Sequence, residues 1–83
     1  MPLLSVIVPV YNEAKTIRQI LEKISSIAIE KEIIVVDDGS SDGTDKVLRG
    51  LEHGGFKIIH HPTNRGKGAA FLTGLSNAGS EFV

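Results

Sequence analysis

Two adjacent carboxylates follow a run of apolar residues in the segment IIVVDDGSSDGT, residues 33–44. Side chains alternate along a strand, so Asp37 and Asp38 are predicted to point to opposite faces of a sheet. A carboxylate at the carboxyl end of such a strand can accept a hydrogen bond from a ribose hydroxyl or a base N–H. Asp38 is therefore a candidate for nucleoside binding. The alternative is that Asp38 caps the turn that comes after it, because DGSSDG is favourable turn chemistry.

A second candidate for ligand binding is the segment NRGKG, residues 64–68, which precedes a predicted helix. Arg65 and Lys67 supply positive charge, and the glycines expose backbone N–H groups at a helix N-terminus, which suits a phosphate. The segment is not a Walker A loop, because it lacks the required glycine spacing and the Ser or Thr after the lysine. The alternative is that the glycines are spacers and that Lys67 lies on a solvated face.

Three other polar groups have weaker signals. Tyr11 comes directly after the first predicted strand, where its ring can stack on a base or pack at the rim of the sheet. His60 and His61 are neighbours on a strand and face opposite ways, so a structural role is predicted for both. Without cysteine, this chain is not expected to form a metal site by itself. Ser40 and Ser41 lie in a turn without a nucleophile elbow, and no catalytic residue is predicted.

Alternating hydrophobic patterns predict the element order βαβαβα(β). Units of this length imply right-handed crossovers and a three-layer, Rossmann-like α/β domain with a parallel sheet. The polar groups at the end of each strand then converge at one edge of the sheet. The strands are predicted at residues 4–10, 32–37, 56–60 and 81–83, and the helices at residues 13–27, 44–51 and 66–78, with Asn12 and Thr44 as N-caps of the first two helices.

The composition excludes several classes of protein. The chain has 83 residues and a formal net charge of −1, which predicts one small domain without a nucleic-acid partner. Its apolar runs are far shorter than the roughly 20 residues of a transmembrane helix. The absence of cysteine and of a basic segment after Met1 predicts a cytoplasmic protein without a signal peptide.

Three segments, SVIVPVYNEAKTI, IIVVDDGSSDGT and NRGKGAAFLTGLSNAGSEFV, resemble in order and spacing the N-terminal part of a family 2 glycosyltransferase of the GT-A fold. YNE and GKGAA are most similar to the polyprenyl-phosphate branch, the dolichyl-phosphate mannose synthase type. The resemblance covers essentially the whole chain. It implies an inverting enzyme of cell envelope biosynthesis that transfers sugar from a UDP- or GDP-sugar donor, with an acceptor such as a polyprenyl phosphate and a peripheral position at the membrane.

The resemblance also implies roles for individual residues. Lys67, and with less support Arg65, would lie near the phosphates of the donor. Asp37 is a secondary candidate, closer to a structural role. The positions implied to border the base and nucleoside are Pro9, Tyr11, Glu13, Val36 and Asp38.

The resemblance further implies that parts of the enzyme lie beyond residue 83. In the family, a metal-binding Asp-x-Asp and a catalytic base come after the part that this chain resembles. Residues 1–83 are thus expected to be the nucleotide-sugar-binding half of a longer enzyme that uses Mg²⁺ or Mn²⁺, and to be inactive alone. The first strand would lie inside the parent sheet, so its free edge in this chain is expected to cause self-association.

Two other classes of protein remain as alternatives. One is a non-catalytic α/β module that binds a nucleotide or anion with the same loops. The other is a flavodoxin-like structural or receiver-type domain, but a receiver needs an Asp after the third strand, where the sequence has His60-His61-Pro62. Binding of UDP or GDP separates the nucleotide-binding hypotheses from the structural one.

Overall fold

In a computed structural model, which describes residues 4–51 and 54–79, three parallel strands alternate with three helices. This arrangement confirms the predicted α/β class. The predicted fourth strand at residues 81–83 lies outside the described residues. The elements are β1 (Leu4–Val10), α1 (Ile17–Ser25), β2 (Lys31–Asp38), α2 (Thr44–Arg49), β3 (Phe56–His61) and α3 (Lys67–Ser76).

The central strand of the described sheet is β2, in the order β1-β2-β3. It is buried from Ile33 to Asp38, as its continuous apolar run predicts for a strand covered on both faces. The parallel register places Asp37 beside both Val10 of β1 and His60 of β3. The carboxyl ends of the three strands therefore lie level at one edge of the sheet.

Helices cover both faces of the sheet and complete the three predicted layers. On one face, Ile33 and Val35 pack with Ile17 and Leu21 of α1 and with Leu48 of α2. The core on the other face contains Ile34 and Val36 of β2 and Ala70 of α3. The odd-numbered and even-numbered apolar residues of β2 therefore enter different cores.

The start of α1 differs from the prediction. Asn12 is not its N-cap: the residue has a positive φ of 53°, and its side-chain oxygen accepts a hydrogen bond from the Ser41 N–H. The helix begins at Ile17 instead, after a turn in which the Glu13 carbonyl accepts bonds from the N–H groups of Thr16 and Ile17. A cross-loop hydrogen bond therefore outcompetes the local cap.

The N-cap of α2 is also different. Gly43 occupies the cap position, and Thr44 is the first helical residue. The Thr44 hydroxyl is fully buried and accepts a hydrogen bond from the backbone N–H of Glu13, in the loop after β1. Within the described ranges, no helix has the length and hydrophobicity to cross a membrane.

The turn after β2 requires glycine at position 39. Gly39 has a φ of +74°, and a Cβ there would overlap the backbone of Thr63 and Asn64. The turn and the loop after β3 therefore touch through their main chains. Gly43, by contrast, has a φ of +95°, and no atom of the described residues lies within 4 Å of a Cβ built there.

We predict that Gly39→Ala lowers the free energy of unfolding by about 2–5 kcal/mol, because left-handed backbone strain adds to overpacking against rigid main chain. Gly43→Ala is the matched control and should cost about 1–2 kcal/mol from backbone strain alone. Urea denaturation followed by circular dichroism measures both. Equal losses of unfolding free energy in the two variants would show that the contact of Gly39 with Thr63 and Asn64 is not tight.

Candidate functional site

A cleft of about 260 Å³ opens at the carboxyl edge of the sheet. It lies between the loop after β1, the end of β2 and the start of α3. Five residues predicted from the sequence contribute to its wall. The lining residues are Pro9, Val10, Tyr11, Glu13, Asp38, Asn64, Gly66, Lys67 and Ala70.

Three other predicted residues are not among those that line the cleft. Val36 is fully buried, and its side chain packs with Ala70 beneath the cleft. Asp37 faces the opposite side of the sheet, where it lines a separate cleft with His60. The Arg65 side chain is exposed to solvent, and its backbone N–H is the group directed at Asp38.

Asp38 is 3% exposed and accepts three hydrogen bonds. Its Oδ1 accepts from His61 Nδ1 at 2.8 Å and from the Arg65 N–H at 2.9 Å, and its Oδ2 accepts from the Gly66 N–H at 2.9 Å. The bond from His61, followed by the Arg65 amide, holds the pKa of Asp38 below its ordinary value of 3.8. The carboxylate thus stays ionised and fastens the loop after β3 to the end of β2.

The interpretation of Asp38 as a turn cap is wrong. The turn after β2 is capped by Asp37, whose Oδ1 accepts a hydrogen bond from the Ser40 N–H at 3.1 Å. The two carboxylates alternate along the strand as expected, so only one of them can reach this turn. Asp38 is left for the loop after β3 and for the cleft.

The turn segment DGSSDGT holds the loop after β1. This cross-loop clamp was missed by sequence reasoning, although loops at the ends of neighbouring parallel strands lie close enough to bond. It keeps Tyr11 and Glu13 at the mouth of the cleft. Four hydrogen bonds of 2.8–3.2 Å form the clamp: Asn12 N to Ser40 Oγ, Ser41 N to Asn12 Oδ1, Ala14 N to Asp42 Oδ2, and Glu13 N to Thr44 Oγ1.

Asp42 has a second role in this clamp. The Thr44 hydroxyl donates to Asp42 Oδ1, and the Thr44 and Ala14 amides donate to its two oxygens. The hydroxyl bond is the main reason why the pKa of Asp42 lies below its ordinary value. An ionised Asp42 thereby orients the Thr44 hydroxyl, and this hydroxyl accepts a hydrogen bond from the Glu13 N–H.

The described residues do not fit a metal ion. Within residues 4–51 and 54–79, no group of three or more His, Asp or Glu side chains has an arrangement that could hold a metal ion. Asp37 and Asp38 are adjacent in sequence but point to opposite faces of the sheet. Asp37 bonds to His60, and Asp38 bonds to His61. Their oxygens therefore serve protein donors.

Comparison with known proteins identifies the family. The model of glycosyl transferase family 2 matches residues 5–83. The chain belongs to this family. Among curated relatives, the poly-beta-1,6-N-acetyl-D-glucosamine synthase of Staphylococcus epidermidis is 35% identical over 82 residues, or 96% of this chain and 20% of the relative. Glycosyltransferase AglE of Haloferax volcanii is 36% identical over 88 residues, which cover the whole chain and 29% of AglE.

Solved structures of glycosyltransferases share the fold. The mannosyltransferase PcManGT of Pyrobaculum calidifontis, solved with GDP-Man and Mn²⁺, superposes with a TM-score of 0.84 at 33% identity over 93% of this chain and 24% of its own. Residues 1–349 of TarS from S. aureus give a TM-score of 0.83 at 32% identity over 98% of this chain and 26% of TarS. The fold is the Rossmann-like N-terminal half of GT-A glycosyltransferases, and this chain spans about a quarter of either protein.

We predict that the stabilisation from ionised Asp38 is fully present above the ordinary carboxyl pKa of 3.8 and is lost as pH falls through the lower pKa of the folded protein. Asp38→Asn removes this titration. The difference in unfolding free energy between wild type and variant should be constant at neutral pH and shrink below pH 3.8, as measured by urea denaturation.

The control for this titration is Glu22→Gln, which changes an exposed carboxylate of α1. The pH dependence of its unfolding free energy should follow that of the wild type much more closely than the pH dependence of Asp38→Asn does. A difference between wild type and Asp38→Asn that already shrinks above about pH 5 would contradict the prediction, because it requires a raised rather than a lowered pKa for Asp38.

Proposed function

We propose that the cleft binds the nucleotide of a sugar-nucleotide donor, a UDP- or GDP-sugar. One observation carries the proposal: Pro9, Tyr11, Glu13, Asp38 and Lys67 line a single cleft in a chain of glycosyl transferase family 2. The structure of PcManGT with GDP-Man, a donor of this class, supports it. A cleft of about 260 Å³ accommodates part of such a donor.

The base and the ribose would occupy the Tyr11 side of the cleft. Tyr11 is 48% exposed, so its ring offers a face on which a base can stack. Asp38 Oδ1 already accepts two hydrogen bonds, whereas Oδ2 accepts one. The second oxygen keeps acceptor capacity for an N–H or O–H donor of the nucleoside.

The diphosphate would lie at the opposite side, near Lys67. This exposed lysine is the first residue of α3, so its charge adds to that of the helix N-terminus. Gly66 precedes it with a φ of +97°, in backbone geometry that favours glycine. The Gly66 N–H itself is bound to Asp38 and is not exposed as the sequence predicted. A phosphate would therefore rely on the Lys67 charge and on the first-turn N–H groups of α3.

The remaining parts of the reaction are assigned to residues outside this chain. We propose that residues 1–83 are the donor-binding half of an inverting transferase and that Mg²⁺ or Mn²⁺ and the catalytic base are held elsewhere in the enzyme. The chain spans only 20% and 29% of the two curated relatives described above, and the PcManGT structure contains Mn²⁺. The proposed acceptor is a polyprenyl phosphate, reached from the cytoplasmic side by peripheral association with the membrane.

We predict that UDP or GDP binds the chain and that Tyr11→Ala weakens binding about 5- to 150-fold, the equivalent of about 1–3 kcal/mol of base stacking. Lys67→Ala should also weaken binding, and more so at low salt, because it removes a charge close to the phosphates. Isothermal titration calorimetry with each nucleotide measures both effects. Both side chains are exposed, so neither change should unfold the chain.

Tyr11→Phe and Lys23→Ala are the matched controls. The first keeps the aromatic face, and the second removes an exposed lysine on α1, so both should bind like the wild type. Binding without any effect of Tyr11→Ala or Lys67→Ala would place the nucleotide elsewhere. Sugar transfer by the purified chain, assayed with a sugar-nucleotide donor and Mn²⁺, would contradict the assignment of catalysis to residues outside it.

We also propose that the chain self-associates through β1 and α3. In the described sheet, β1 is an edge strand without a charged residue, and edges of this kind pair with other chains. Phe71 of α3 lines a groove with residues 4–7 of β1. Three large apolar side chains of α3 are exposed: Phe71 at 44%, Leu72 at 61% and Leu75 at 40%. Light scattering should therefore give a mass above that of the monomer.

Leu72→Glu should shift the chain towards the monomer, because it places a charge within the apolar patch. Ile27→Glu, at an apolar residue that is 53% exposed after α1, is the matched control and should leave the mass unchanged. A wild-type chain that stays monomeric at high concentration would refute self-association.

A further inference from the structure

Two Asp–His pairs cross from β2 to β3 on neighbouring rungs of the sheet. Asp37 lies opposite His60 and Asp38 opposite His61, with oxygen–nitrogen distances of 3.0 Å and 2.8 Å. The chemistry of the pairs is the same, but they occupy opposite faces. Asp38 lines the cleft described above, whereas neither Asp37 nor His60 does.

His61 differs from His60 in its second ring nitrogen. His61 Nε2 lies 2.9 Å from the Thr73 hydroxyl of α3, whereas His60 Nε2 is buried and has no hydrogen-bond partner among the described residues. Ionised Asp38 can only accept, so His61 Nδ1 carries the proton. The Thr73 hydroxyl can complete the bond to Nε2 in either direction, so both ends of the His61 ring are held.

The bond from His61 to Asp38 matters for the cleft because it occupies only one of the two carboxylate oxygens. Among the described residues, Oδ1 accepts hydrogen bonds from His61 and the Arg65 amide, while Oδ2 accepts one from the Gly66 amide alone. Among these donors, His61 is the only side chain, and its position is set by strand β3 rather than by the loop. Loss of His61 would leave the carboxylate held by loop amides alone.

We infer that His61 is a positioning residue of the proposed nucleotide site, acting through Asp38, and that Thr73 fixes the ring of His61. The inference rests on the proposed function, because the carboxylate is positioned for the nucleoside. His61 does not line the cleft itself. Its effect on a ligand therefore passes through the Asp38 carboxylate and the two loop amides bound to it.

The matched pairs provide the experiment. His61→Leu removes the donor to Asp38, and His60→Leu removes the equivalent donor to Asp37 on the other face. His61→Asn restores a δ-nitrogen donor towards Asp38 without the bond to Thr73, and Thr73→Val removes that bond alone. UDP and GDP are titrated into each variant by calorimetry. Hydrogen exchange of the Arg65 and Gly66 amides is measured by NMR without nucleotide, with thermal unfolding as the stability control.

His61→Leu should weaken nucleotide binding at least tenfold and speed exchange of both amides beyond any change in global stability. His60→Leu should weaken binding clearly less than His61→Leu, because neither His60 nor Asp37 lines the cleft. His61→Asn should recover most of the affinity, and Thr73→Val should give a smaller loss than His61→Leu. Rescue by the asparagine separates positioning from a general loss of packing, because both His61 variants lose the imidazole.

Equal losses of affinity in His61→Leu and His60→Leu, or no recovery in His61→Asn, would overturn the inference. If the wild type binds neither UDP nor GDP, the proposed function fails separately, and amide exchange then decides about His61. Faster exchange at Arg65 and Gly66 in His61→Leu alone would keep His61 as the residue that positions Asp38. Equal exchange in both leucine variants would reject that role.

Discussion

The candidate site depends on the buried carboxylate of Asp38. It is the last residue of the central strand, and it accepts hydrogen bonds from the neighbouring strand and from the loop that leads into α3. A buried charge is tolerated only when donors satisfy it, and three do so here. Its bonds to the Arg65 and Gly66 amides help to set the position of the loop after β3 and of Lys67 beyond it.

The rest of the cleft is held in a similar way, by polar side chains of one loop that accept hydrogen bonds from backbone N–H groups of another. The turn after β2 bonds the loop after β1, while Gly39 allows the same turn to touch the backbone after β3. The turn is thus in contact with both neighbouring loops. A small domain with short helices can hold a defined cleft in this way, because hydrogen bonds between loops replace the packing that longer elements would supply.

Membership of glycosyl transferase family 2 gives this architecture a chemical meaning. Strand ends, a carboxylate, an exposed aromatic ring and a lysine at a helix start form one wall, and this wall is the basis of the proposed nucleotide site. The described residues do not bring metal ligands together.

Periodicity alone determined the three strands, the alternation with helices and the opposite directions of Asp37 and Asp38, because these depend on local backbone geometry. Five of the predicted site residues converge because parallel strands end at a common edge. Only the tertiary structure decided that Asn12 binds the next loop, that Val36 lies beneath the cleft and that Asp37, not Asp38, caps the turn. These outcomes rest on contacts between residues far apart in sequence, or on which of several donors an oxygen meets, and no local pattern encodes that choice.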